Sequence, residues 1–181
     1  DMPYLVQSVK DVLVNANAAQ PVSSFSIDTW GTCMGLLDKK GNLLALPRSY
    51  RDQQYAGIAE QFYQVIPQLQ LYQKAGTRTS EDLGLIQLYG YKLYNKEVYD
   101  AIGTLMHAPD LLRYFLTGEA YAEETITCTG SYLDPMSRKP LYDVFRSLGM
   151  DASILPALIP PATKLSSLSG LVAQELGMQT T

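Results

Sequence analysis

The stretch Ser26-Ile27-Asp28-Thr29-Trp30-Gly31, followed by Gly35-Leu36-Leu37-Asp38-Lys39-Lys40-Gly41-Asn42-Leu43-Leu44, decides how this chain is read. Phe25 and Ile27 alternate with Ser24, Ser26 and Asp28, which predicts a strand over residues 22–30 with one buried face. Residues 34–37 and 43–46 are apolar runs of strand length. The five residues between are polar, and Gly41 among them accepts a positive φ, so the two runs read as a β-hairpin.

On the N-terminal side, residues 4–18 place Leu5, Val9, Val12 and Leu13 at helical spacing, and Gln20-Pro21 ends that helix. On the C-terminal side, the pattern turns helical after Pro47. Residues 56–66 read as a helix closed by Pro67. Ser80 reads as the N-cap of another, with Glu81 and Asp82 in its first turn and Leu83, Ile86 and Leu93 on one side. A helix over 95–102 and a short strand over 103–106 follow. Pro109 suits the opening of a helix and Gly118 its end. Further helices are predicted from Pro140 to Leu148, stopped by Gly149, and over 169–176 beyond Pro156, Pro160 and Pro161. Strands first, then helices with short strands among them, define an α/β class. The pattern leaves sheet order open.

At 181 residues the chain fits one domain, and 46% apolar with 18% charged residues is the balance of a globular protein with a core. A net charge of -4 and the lack of any basic block exclude a nucleic-acid surface. The 13 tyrosines are spread along the chain, which suits half-buried packing better than a stacking platform. Cys33 and Cys128 lie far apart and His107 is the single histidine, so no metal site is expected. So few cysteines suit a reducing, cytoplasmic setting. No apolar run nears the ~20 residues of a membrane span, and the acidic start is no signal peptide. Neither a G-x-S-x-G elbow nor a G-x-x-x-x-G-K-[ST] phosphate loop occurs. The chain opens on Asp1, from which a start partway into a longer polypeptide is expected.

The opening stretch resembles the FGGY carbohydrate kinases, and within that family the rhamnulokinases, where a D-T-W-G strand precedes a G-L-L-D-x-x-G-x-L-L hairpin. Four further segments agree in order: Tyr50-Arg51-Asp52; Pro109-Asp110-Leu111-Leu112 with Leu116-Thr117-Gly118-Glu119; Leu133-Asp134-Pro135 after the Thr-rich run 125–129; and Leu158-Ile159-Pro160-Pro161-Ala162-Thr163. The resemblance implies an actin-like, ribonuclease H-like N-terminal domain spanning 1–181, truncated at both ends. It implies an opening phosphate-binding hairpin before residue 1. The catalytic Asp and most of a nucleotide domain are expected beyond residue 181. The whole protein would phosphorylate a sugar such as L-rhamnulose with ATP and Mg2+, while this part alone would bind neither cofactor and turn nothing over. Its partners would be the sugar and its own C-terminal domain. Xylulose, fuculose or ribulose are alternative substrates, and a non-catalytic sugar-binding or regulatory module is the alternative function.

The resemblance places Gly31, Trp30, Asp28, Thr32, Arg51 and Asp52 on the sugar side of the cleft. Gly31 would let backbone approach the ligand, or is simply a bulge glycine. Trp30 stacks on a sugar face or packs in the core. Asp28 accepts a sugar hydroxyl or, the favoured reading, ties down the next turn. Arg51 and Asp52 sit in a loop, as cleft residues or as a surface network. His107 reads as a strand-end structural residue, and both cysteines as small buried apolar groups. Two departures from the family are visible. Thr32-Cys33 stands where Val-Asp is usual, and Gln53-Gln54-Tyr55 where a further Arg is usual.

Overall fold

Helix α1 (Met2–Ala19) forms where the 4–18 periodicity predicts it, with Leu13 buried and Leu5 and Val9 packed against apolar clusters. The structure is a computed structural model that describes residues 1–52 and 54–179. Strand β1 (Met34–Leu37) follows, then α2 (Ile58–Val65), α3 (Gln68–Ala75), α4 (Gly84–Tyr94) and α5 (Lys96–Ala101). Strand β2 (Thr104–His107) leads directly into α6 (Ala108–Thr117). The chain continues through β3 (Tyr121–Glu123), α7 (Glu124–Thr129), β4 (Leu133–Asp134) and β5 (Lys139–Pro140). It closes with α8 (Tyr142–Ser147), β6 (Ala157–Ile159) and α9 (Gly170–Leu176). The domain is mixed α/β, as the pattern predicts.

The described strands form three two-stranded ladders: β1 antiparallel to β2, β3 parallel to β6, and β4 antiparallel to β5. The β1–β2 ribbon sets the layering. Leu36 and Leu105, opposite each other, face a large cluster that holds Ile58, Phe62, Ile86, Tyr132 and Phe145. Leu37 and Met106 face the other way, against Met2, Leu111 and Leu112. Because both faces are covered, β1 reads as a continuous apolar run instead of an alternating one.

Three expectations need correction. Residues 22–30 form no strand: the alternation is there, but a strand needs a ladder partner. Among the described residues, 23–28 make no backbone hydrogen bond. The run 43–46 is not a full strand either. The turn closes as expected, with Gly41 at φ 84, but only Leu43 bridges back to Leu37, and β1 gives its ladder to β2. Ser80 does not cap a helix: its hydroxyl joins Arg78 and Asp82, and α4 begins at Gly84 after Leu83. Leu83 and Ile86 are buried as predicted, whereas Leu93 is exposed. Helix α6 opens with Pro109 and ends at Gly118 as predicted, and His107 is the buried last residue of β2.

Candidate functional site

Two hollows flank the segment that carries the D-T-W-G residues. The larger, about 520 Å3, lies between residues 22–28, the first turn of α6 and the stretch 159–168. At its base the Asp110 carboxylate is 2% exposed. It accepts the Glu123 backbone N–H at 3.2 Å and pairs with Arg113 Nη1 at 3.1 Å. Burial pushes its carboxyl up to about 6, against the opposing pull of Arg113 and the Glu123 bond. Arg113 is fixed in turn by donating to the Tyr121 carbonyl. Asp28 is exposed and lines this groove.

The smaller hollow is a notch of about 20 Å3, room for one water or one hydroxyl group. Thr32, Arg48, Asp52, Gln87 and Tyr91 are among the residues around it. Thr32 stands at φ 65, a conformation that costs energy for a β-branched side chain and persists only where its surroundings enforce it. The Asp52 carboxylate is held at both oxygens: Oδ2 accepts Arg48 Nη1 at 3.2 Å, and Oδ1 accepts the Gln54 N–H at 2.9 Å. Burial pushes the Tyr91 phenol up, and the Arg48 guanidinium beside it pulls it partly back.

The six residues expected at the site therefore divide. Thr32 and Asp52 meet at the notch, and Asp28 lines the groove. Gly31 lies against α7, where a Cβ would come 2.9 Å from Thr129 Oγ1; the close approach there is to protein. Trp30 is 46% exposed, so it is no core residue. Its Nε1 donates to Cys33 Sγ at 2.8 Å, and the same sulfur accepts the Tyr50 N–H at 3.3 Å. Arg51 turns onto its neighbour, with Nε donating to the Tyr50 hydroxyl at 3.0 Å and the guanidinium 5.3 Å from that ring. In the Gln53-Gln54-Tyr55 departure, Gln53 lies outside the described residues and Tyr55 is buried edge-on to Tyr91, 5.3 Å away. Cys33 is buried and Cys128 half-buried, both as free thiols.

Sequence reasoning missed Arg48, Gln87 and Tyr91. A signal existed for Gln87 and Tyr91, whose i,i+4 spacing puts them on one side of α4; Arg48 stands outside any helix, where spacing carries no such signal. Nothing in the sequence tied α4 to the loop after the hairpin.

Solved sugar kinases share this fold. The gluconate kinase of Lactobacillus acidophilus superposes at a TM-score of 0.91 with 15% identity, over 99% of this chain and 37% of that one. The xylulose kinase of the same organism gives 0.87 and 14%, over 99% and 37%. The chain belongs to the FGGY family of carbohydrate kinases, whose N-terminal domain matches residues 1–181. A rhamnulokinase of Bacteroides thetaiotaomicron is 28% identical over 163 residues, 90% of this chain and 34% of that protein. The chain thus spans about a third of the length of the relatives it matches.

Among the described residues no three His, Cys, Asp or Glu side chains gather in a metal-binding group, and no G-x-x-x-x-G-K-[ST] loop occurs in the sequence. No described helix is long and apolar enough to cross a membrane.

Proposed function

We propose that this domain forms the sugar-side wall of an ATP- and Mg2+-dependent carbohydrate kinase that phosphorylates L-rhamnulose. The observation that carries the reading is the D-T-W-G segment with its hairpin and the four motifs after it, in family order, together with 28% identity to a rhamnulokinase across 90% of the chain. Phosphoryl transfer is chiefly positioning and charge neutralisation, so sugar, base, phosphates and metal must be assembled at one place. This domain brings a polar notch and a groove to that assembly. The nucleotide, its cation and the catalytic base fall to the rest of the polypeptide. Thr32, at the notch, and the buried Cys33 after it stand where the family usually carries Val-Asp, and this departure bears directly on the choice of sugar.

The test is ADP release by the whole polypeptide with rhamnulose, xylulose, fuculose, ribulose and glycerol. Rhamnulose is expected to give the highest kcat/KM, and residues 1–181 alone no turnover. A preference for xylulose would move the protein to another substrate within the family. No phosphorylation of any sugar, with binding intact, would make it a sugar-binding module.

A further inference from the structure

Arg48 belongs to none of the motifs that carry the family resemblance, yet it is the residue around which the notch is organised. Its guanidinium lies between groups from two parts of the chain: the Asp52 carboxylate at 3.2 Å and the Tyr91 phenol of α4, whose ionisation feels its charge. The side chain is nevertheless 51% exposed, and that of Asp52 39%. A guanidinium has five N–H donors; Asp52 takes one and the Tyr91 phenol is bonded by another, which leaves donors open. Among the described residues each Asp52 oxygen accepts a single bond, from Arg48 or from the Gln54 N–H, which leaves further lone-pair capacity on each. The pair therefore offers open donors and open acceptors side by side, held in place before any ligand arrives. The notch beside them admits a group of hydroxyl size.

Deepening the kinase reading, on which this rests, we propose that Arg48 and Asp52 form a subsite for a neutral vicinal diol of the substrate. Arg48 donates to one hydroxyl oxygen, and Asp52 accepts the O–H of the next. A hydroxyl both donates and accepts, so two adjacent hydroxyls satisfy both members of the pair. A carboxylate can only accept: it would gain from Arg48 but face the negative charge of Asp52 with no proton to offer. The subsite thus takes a pair of adjacent hydroxyls and not a carboxylate. Arg48 and Asp52 act as specificity determinants, while Thr32 and Tyr91 shape the notch around them.

Isothermal titration of the whole polypeptide, without nucleotide, tests this with L-rhamnulose and D-xylulose as probes. The unmodified protein should bind a neutral sugar. Arg48→Met should weaken neutral-sugar binding about 10- to 100-fold, the effect of losing a charge-assisted hydrogen bond. Asp52→Asn should weaken it less. A deoxy sugar lacking one hydroxyl of the diol should bind the unmodified protein weakly, with no further loss in Arg48→Met, since both changes remove one interaction. Both side chains are exposed, so unchanged melting temperatures will separate binding effects from misfolding. Neutral-sugar binding unchanged in both variants would overturn the subsite and leave the kinase reading standing. Failure of the unmodified protein to bind any neutral sugar would overturn both.

Discussion

His107 is sealed against the edge of Tyr132, 5.6 Å between ring centroids, and among the described residues neither ring nitrogen has a hydrogen-bond partner. Burial pushes its imidazole down to about 4, from an ordinary ~6.5. The folded value lies below the unfolded one, so its contribution to stability is full above pH ~6.5 and is lost as the pH falls toward about 4. Asp110 runs the other way. Its carboxyl is raised to about 6, so its contribution is full below the unfolded value of ~3.9 and is lost as the pH rises through about 6. Between roughly pH 4 and 6 the two slopes oppose, and the intact protein should show little pH dependence from this pair. Asp110→Asn should expose the histidine slope, losing on the order of 2–3 kcal/mol on acidification from pH 6.5 to 4. His107→Leu should do the reverse and gain stability over the same range. Urea unfolding at several pH values reads both, and superimposable profiles for the three proteins would refute the assignment. The structural role of His107 was legible in the sequence from its place at a strand end. The burial of Asp110 was not, because an acidic residue after Pro109 looks like an ordinary partner of a helix dipole.

Among the elements, the β1–β2 ribbon carries the tightest backbone contact around the hairpin. Gly103 donates its N–H to the Leu37 carbonyl at 2.8 Å, and a Cβ there would sit 2.6 Å from Lys39 N and 2.7 Å from the Asp38 carbonyl carbon. Those neighbours are main chain in a closed turn and cannot rotate aside. Gly103→Ala should therefore cost about 1–3 kcal/mol, read as a drop in melting temperature of several degrees. A melting temperature within a degree of the unmodified protein would show that the turn yields. The turn was legible because Asp38, Gly41 and Asn42 are local signals: the Asp38 side chain accepts the N–H groups of Lys40 and Asn42. Helices α1 and α6 were legible for the same reason, from periodicity and caps. The pairing of β1 with β2 was not, since about seventy residues separate Leu37 from Met106 in the sequence and register between distant strands leaves no local trace. The strand expected over residues 22–30 failed in the matching way: alternation marks which side chains can be buried, not whether a neighbour is there to pair.

For the molecule as a whole, membership of the FGGY family was legible because five weak motifs fall in one order along the chain. The arrangement of the candidate site was legible only in part. Of the six residues named from the sequence, Thr32 and Asp52 lie at the notch, but the residues that complete it come from α4 and from a loop arginine that no motif singles out. Such convergence depends on tertiary packing, where α4 is fixed by Leu85, Ile86 and Leu88 in the main cluster. The unpaired run at residues 23–28 has a further consequence. Its amides are bonded to nothing among the described residues, so in deuterated water they should exchange almost at once, while those of β1 and β2 stay protected. Mass spectrometry of peptides covering the two regions reads the contrast, and slow exchange at 23–28 would reveal a neighbouring strand. Until something covers it, the run is a bare template for other extended chains, and the isolated domain should aggregate through it on heating or concentration.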